Sequence, residues 1–230
     1  MAICEGQTIS INSQQLGGTP PYTYYWDSGN GFVVDNNIIS VTPDTTTTYT
    51  VYVEDAHGCE SSPVSMTITV SPTMSVDLET QDNRCYNSCD GWAELYLQGG
   101  IEPFNYSWGS PTNVYNNICA GFYTVTISDQ IGCSVDTMFF ISEPDSLEAH
   151  ISTLPASCNS YEDGMAVVSV NGGTQPYSYL WPEGTQNDTL LTDAGSYTVT
   201  ITDAHDCRVY GQAVISEPEE LELFTAPDRC

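Results

Sequence analysis

The segments GGTPPYTYYW (residues 17–26), GGIEPFNYSW (99–108) and GGTQPYSYLW (172–181) are three copies of one pattern. Each runs on through a Tyr-x-Val alternation, at Tyr49-Val51-Val53, Tyr123-Val125-Ile127 and Tyr197-Val199-Ile201, into an Asp-x-x-x-Cys turn at Asp55/Cys59, Asp129/Cys133 and Asp203/Cys207. The three late cysteines are 74 residues apart in both intervals. A fixed period of this size, carried by strand-like alternation, specifies a linear array of small β domains. The expected boundaries are 1–71, 72–144 and 145–217, with 218–230 as the start of a fourth repeat whose remainder lies outside this chain. Copy one is longer than the others: Trp26 to Tyr49 spans 23 residues, against 15 for Trp108 to Tyr123 and 16 for Trp181 to Tyr197. An extra hairpin or loop is expected there.

Strand signals dominate throughout. Ser65–Val70, Ala93–Leu97, Met165–Val170 and Tyr197–Thr202 are β-branched or alternating, and no segment holds a helical apolar period for ten residues. The paired glycines supply positive φ and the proline that follows fixes the re-entry, so each GG-x-x-P closes a turn between two strands. Asp193-Ala-Gly195-Ser-Tyr197 has the spacing of a tyrosine corner, copy two keeps Gly121 and Tyr123, and copy one keeps only Tyr49. These features give an all-β fold of tandem immunoglobulin-like β-sandwich repeats in an extended array. The alternate aromatics Tyr22/Tyr24/Trp26, Phe104/Tyr106/Trp108 and Tyr177/Tyr179/Trp181 fall on one strand face, where they form either a stacking platform for sugars or the buried core. A sandwich must bury one face, and a core tryptophan on the third strand is what such folds use, which favours the core.

Nine cysteines in 230 residues, placed by the repeat, read as disulfides in an oxidising compartment. Domains of about 75 residues have little core area and gain most from a staple. The simplest pairing joins early and late cysteines within a copy: Cys4 with Cys59, Cys85 with Cys133 and Cys158 with Cys207, with Cys89–Cys119 as a second bridge in copy two. Closing the 49 residues from Cys158 to Cys207 would contribute about 4 kcal/mol in the chain-entropy model. Cys230 is left for a partner in the fourth repeat. The closest cysteine spacing is Cys85-x-x-x-Cys89, which does not match zinc-ligand spacing.

The formal charge is −27, with 30 acidic residues against three arginines (Arg84, Arg208, Arg229) and no lysine. Such a chain cannot neutralise phosphates, which excludes nucleic acid as a partner and argues against anionic membrane surfaces. No run of apolar residues is long enough to span a bilayer, so direct membrane insertion is not expected. Met1 and Ala2 read as additions ahead of the natural sequence, and any export signal as lying outside this chain. His57 and His205 precede late cysteines as turn residues, His150 stands alone in a strand, and no Ser, Cys or Asp is spaced with them as a catalytic triad. No carboxylate pair can be set across a cleft, so the chain is not expected to be an enzyme. Acids do gather where copies join: Glu143 and Asp145, Glu217 and Glu219, near the strand-end acids Asp129 and Asp203. They form either a solvated acidic hinge or a calcium site, the hinge being favoured because the first junction, Val70-Ser-Pro-Thr73, carries no carboxylate.

The strings GGTxPYxYxW, AGxYTVTIxDxxxC and ISEP of copies two and three closely resemble the SprB repeat of Bacteroidetes gliding-motility adhesins and related giant surface proteins. Copy one, through PDTTTTYTV at residues 43–51, is similar to the PKD-like immunoglobulin-like modules of the same organisms. The resemblance implies type IX secretion, display on the outer cell surface and a stalk role in adhesion or gliding, with no catalytic residues. It also implies short O-glycosylation motifs at Thr45, Thr137, Ser146 and Thr189. Expected partners are neighbouring repeats of the same chain, and surface glycans or other surface proteins. A glycan-binding module of a secreted multidomain protein is the competing function.

Overall fold

The structure, a computed structural model, describes residues 1–224. Copy one contributes β1 (Ala2–Cys4), β2 (Ile9–Asn12), β3 (Thr23–Asp27), β4 (Val33–Asp35), β5 (Ile38–Val41), β6 (Thr47–Glu54) and β7 (Val64–Ser71). Copy two contributes β8 (Ser75–Gln81), β9 (Gly91–Gln98), β10 (Asn105–Tyr106), β11 (Val114–Ile118), β12 (Gly121–Ser128) and β13 (Ser134–Ile141). Copy three contributes β14 (Glu148–Leu154), β15 (Gly164–Asn171), β16 (Ser178–Leu180), β17 (Thr189–Thr192), β18 (Gly195–Thr202) and β19 (Arg208–Ile215). The described residues are all-β, and every strand expected from alternation falls inside an observed one. None of their elements is a helix long and apolar enough to cross a membrane. By contact the chain divides into two compact units: Met1–Glu79 with Ala93–Tyr115 and Phe122–Phe139, and Thr80–Trp92 with Asn116–Gly121 and the chain from Phe140. The dividing line runs through copy two.

Copies two and three share one topology of two three-stranded sheets, β8-β9-β11 and β10-β12-β13, then β14-β15-β17 and β16-β18-β19. Copy one pairs β2 only with β5 and extends the other sheet to β1-β7-β6-β3-β4. The length difference in the sequence is β4, which forms the expected extra hairpin by pairing antiparallel with β3 from Tyr24↔Asp35 to Trp26↔Val33. β1 adds to the far edge, parallel to β7.

Each core is fed by both sheets because alternate residues of a strand point to opposite faces. In copy one Ile11 and Ile39 meet Tyr24, Trp26, Tyr49 and Ile68. In copy three Ala166, Val168 and Leu190 meet Trp181, Val199, Ile201 and Ala213. The aromatic row is thus a core feature in copies one and three, where Trp26 is 4% and Trp181 1% exposed. Their indole N–H groups donate to the carbonyls of Asn36 and Asn187, so burial leaves no orphaned donor. Trp108 is half-buried, stacks between Tyr106 and Tyr115, and donates to the Thr112 carbonyl.

The paired glycines all have positive φ, and the peptide bonds ahead of Pro21, Pro103 and Pro176 are cis. Tyr22 and Tyr177, just after the proline, donate back to the carbonyls of Gly17 and Gly172 and close the turn. The tyrosine corner is present in copy three. Tyr197 hydrogen-bonds the Asp193 carboxylate and its carbonyl, which holds that carboxyl below the usual carboxylate range and pushes the phenol up. Because Trp181 fills the centre of a core, Trp181→Ala is expected to cost about 3–5 kcal/mol in thermal or denaturant unfolding, and Trp108→Ala clearly less. Equal losses at the two sites would contradict this account of the row.

Candidate functional site

The site is the junction between successive copies, assembled from the late-cysteine turn, the early-cysteine turn and the linker. In the late-cysteine turn one carboxylate organises everything. Asp55 Oδ1 accepts from the N–H groups of His57 (2.8 Å) and Cys59 (3.0 Å), and its Oδ2 from Thr19 N–H (3.1 Å). Asp203 does the same for His205, Cys207 and Thr174. Asp129 takes Ile131, Gly132 and Cys133 on Oδ1, and Ile101 N–H and the Ser71 hydroxyl on Oδ2. The next residue of each turn then donates to the glycine turn: Ala56 to Thr19, Gln130 to Ile101 and Ala204 to Thr174. The aspartate therefore welds the cysteine turn to the GG turn at the same end of the sandwich. Hydrogen bonds to the ionised form favour it. Those from Cys59, His57 and Thr19 hold Asp55 below its ordinary range. Burial alone would raise Asp129, yet the donors from Ser71, Cys133, Ile101 and Gly132 outweigh it and hold it low.

The early-cysteine turn lies against the linker that leaves the copy. Glu5 N–H donates to Ser71 O, Asn83 N–H to Ser142 O and Ala156 N–H to Ser216 O. The glutamate of Ile-Ser-Glu-Pro caps that turn: Glu143 Oε2 accepts from Asn87 N–H at 2.7 Å, and Glu217 Oε2 from Ser160 N–H at 2.6 Å. Both capped residues have positive φ, 55° and 63°. The first linker has no glutamate, and there the carboxylate comes from the turn instead. Glu5 Oε2 accepts from the N–H and hydroxyl of Thr73, which lowers its pKa.

The linker then passes over the glycine turn of the following copy. Gly100 N–H donates to Pro72 O and Gly173 N–H to Asp145 O. A Cβ on Gly99 would stand 2.2 Å from Thr73 O, and one on Gly172 would stand 1.9 Å from Ser146 O. Glycine is required at both positions by close approach as well as by φ.

Across these junctions run Cys4–Cys133 and Cys85–Cys207, each with a Cα–Cα distance of 5.7 Å. Cys89–Cys119 lies within copy two. The within-copy pairing of Cys4 with Cys59, Cys85 with Cys133 and Cys158 with Cys207 is therefore corrected: the early cysteine of one copy bonds the late cysteine of the next. Cys59 and Cys158 are exposed thiols. The reason is geometric. Cys4 pairs in register with Ser71 at the end of β7, whereas Cys59 lies ahead of the first residue of that strand. An eight-residue strand puts them roughly 25 Å apart, against the 4.4–6.8 Å that a disulfide spans. In copy three β19 separates Cys207 from the Cys158 turn in the same way. Cys230 lies outside the described residues.

Four of the six junction acids considered for calcium accept backbone N–H groups. Asp129, Asp203, Glu143 and Glu217 accept N–H groups as above, Asp145 contributes its backbone carbonyl, and Glu219 is exposed. Among the described residues no three His, Cys, Asp or Glu gather as a metal-binding group. His57 and His205 are turn residues, and the His205 ring reaches Arg84 O at 3.2 Å across the second junction. His150 is exposed on β14 near Glu148. Of the four glycosylation candidates Thr45 is exposed, while Thr137, Ser146 and Thr189 are half-buried.

Ser71, only 1% exposed, was invisible as a functional residue in the sequence. Its equivalence to the serine of Ile-Ser-Glu-Pro was the available signal. For Asp129→Asn, the single amide oxygen cannot accept both from Ile131, Gly132 and Cys133 on one side and from Ser71 and Ile101 on the other, and the expected loss at pH 7 is about 1–3 kcal/mol. A depressed carboxyl stabilises the fold above its ordinary pKa and loses that contribution as pH falls through the folded value. The gap between the parent and Asp129→Asn in urea unfolding should thus be full at pH 7 and close below about pH 4. A gap that persists at pH 2 would contradict the carboxylate's role.

Residues 151–186 match the family model of the SprB repeat. No curated protein matches the chain. Among solved structures, the I-band fragment I67–I69 of titin is 14% identical, with 95% of each chain covered and a TM-score of 0.50. The N-terminal eight Ig domains of Down Syndrome Cell Adhesion Molecule are 14% identical over 95% of this chain and 36% of theirs, at a TM-score of 0.47. Extracellular domains 3–5 of Drosophila OTK are 12% identical over 95% and 94%, at 0.32. The titin likeness, with the sheet topology above, identifies the fold as tandem immunoglobulin-like domains.

Proposed function

We propose that the chain is a structural, adhesive repeat segment: the stalk of a large cell-surface adhesin, exported to the outer surface and serving attachment or gliding. Its repeats run 1–71, 72–144 and 145–217, with a fourth opening at 218. The observation that carries this reading is a continuous covalent path through all three disulfides. From Cys4 it crosses to Cys133, follows fourteen residues back to Cys119, crosses to Cys89, follows four residues back to Cys85 and crosses to Cys207. The eighteen residues of backbone on that path extend to roughly 60 Å, whereas the 203 residues between Cys4 and Cys207 would extend to roughly 700 Å. Tension applied at the two ends would run through the staples and leave the sandwiches unextended. A stalk that transmits force needs this property, and an isolated binding domain does not.

The SprB match supports surface display and a repeat role, and the high negative charge supports solubility of an exposed filament. Type IX secretion and a Bacteroidetes source are part of the same reading, as is O-glycosylation, for which Thr45 is the accessible candidate. Partners are the neighbouring repeats and, at the target, other surface proteins or glycans. The competing glycan-binding reading loses its main support, because Trp26 and Trp181 face the core.

The test is to stretch the single molecule from its termini. With disulfides intact, the interval from Cys4 to Cys207 should give no unfolding step near the contour of a whole repeat. After reduction, steps of roughly 250 Å, set by about 74 residues each, should appear. Whole-repeat steps from the oxidised chain would remove the stalk reading.

A further inference from the structure

The extra strand of copy one adds nothing to its core. Phe32, Val33 and Val34 are 46%, 62% and 63% exposed, and all three residues of β4 are exposed. Apolar side chains gathered together and left bare in the fold mark a contact surface.

β4 widens the sheet on which two tyrosines stand outward. Tyr24 and Trp26 turn into the core, so Tyr25 between them faces out, as does Tyr52 between the core-packed Val51 and Val53. The register sets Val34, Tyr25 and Tyr52 side by side across β4, β3 and β6. The two phenol rings stack with centroids 4.7 Å apart and planes 6° apart, and the Phe32 ring meets Tyr52 edge-on at 5.0 Å. Asp27 Oδ1 fixes the turn behind Phe32 by accepting from Gly29 N–H (2.7 Å) and Gly31 N–H (2.8 Å). One pleat further along, Glu54 stands opposite Glu60 across an isolated bridge. Tyr25 donates to Glu54 Oε2 at 2.9 Å, which pushes its phenol up, and the Glu60 charge adds to that shift. Like charges directly opposite on a sheet destabilise it, and residues 1–71 hold no lysine or arginine to offset the pair.

The fold requires none of these side chains. Counting from the shared Trp, Tyr and Cys, the places of Tyr25, Tyr52, Glu54 and Glu60 are taken in copy two by Ser107, Thr126, Ser128 and Ser134. In copy three they are taken by Leu180, Thr200, Thr202 and Arg208.

We propose that this outer face of copy one binds an arginine-bearing segment of a partner protein, with the guanidinium stacking on the Tyr25, Phe32 and Tyr52 cluster and donating to the Glu54 and Glu60 carboxylates. Charge complementarity selects this occupant. A guanidinium stacks on aromatic rings and also donates in parallel pairs to carboxylates. It relieves the repulsion between the two glutamates, and the chain's charge of −27 steers cations toward it. A neutral saccharide would use the rings and leave the opposed charges as they are. The site gives a chemistry to the surface-protein partner of the stalk reading, but it lies within copy one and does not depend on the disulfide path.

The test is an NMR titration of the full chain at physiological salt with a short arginine peptide, and with the same peptide carrying citrulline, the uncharged isostere. The arginine peptide should shift the amide signals of residues 23–27, 32–34 and 52–60, and the citrulline peptide should shift none. Tyr52→Thr and Glu60→Arg install residues that other copies carry at these places, so the fold accommodates them, which the dispersion of the same spectra checks. Each should weaken binding at least about fivefold. Glu148→Gln, which removes an exposed carboxylate of copy three, should leave binding unchanged. Shifts spread over the carboxylates of all three copies, an equal response to citrulline, or binding insensitive to Tyr52→Thr would each overturn the proposal. A response of the same residues to a neutral oligosaccharide but not to arginine would overturn it in favour of a glycan.

Discussion

A half-buried or buried carboxylate surrounded by N–H donors recurs in each copy, at Asp55, Asp129 and Asp203, and the rest of the architecture depends on it. It fixes the turn that presents the late cysteine and ties that turn to the glycine pair. Cysteine and glycine turn thus form one rigid end face. Onto that face the preceding copy sets its linker and its early cysteine. Without the aspartate the cysteine would sit on a mobile loop, and a bond requiring Cα atoms 5.7 Å apart would have to order that loop at its own expense.

The other end of each sandwich is organised by the same chemistry with the partners exchanged. A glutamate ties the early-cysteine turn to the linker: in copies two and three it comes from the linker and accepts from the turn, and in copy one Glu5 comes from the turn and accepts from Thr73 of the linker. The charge that makes the chain so acidic is therefore not all solubilising surface. Part of it holds backbone donors that no sheet can satisfy, at the places where one copy meets the next.

Much of this was legible in the sequence, and the reason differs from feature to feature. The strands were readable because Tyr-x-Val alternation reports a local period. The glycine turns and tyrosine corner were readable because they rest on backbone conformations that few residues adopt. The disulfide partners were not. A strict 74-residue period makes pairing within a copy and pairing between copies equally regular, and loop-closure entropy then favours the shorter loop. What decides the matter is the crossover from β16 to β17, which pair with β18 and β15 in opposite sheets. It carries the chain back along the sandwich, so the early and late cysteines end at opposite ends of one copy. No local pattern encodes that crossover. The junction acids cluster in the sequence, but which backbone N–H groups Asp129, Asp203, Glu143 and Glu217 accept from is set by turns that the sequence does not show.

Which cysteines are joined decides whether the repeats are covalently linked to one another, and peptide mapping of the unreduced chain after proteolysis at acid pH, which prevents exchange, reads it directly. Linked peptides should report Cys4–Cys133, Cys85–Cys207 and Cys89–Cys119, with Cys59 and Cys158 alkylated as free thiols. Recovery of Cys4–Cys59 and Cys158–Cys207 would mean that each copy is stapled to itself, and the covalent path from repeat to repeat would not exist.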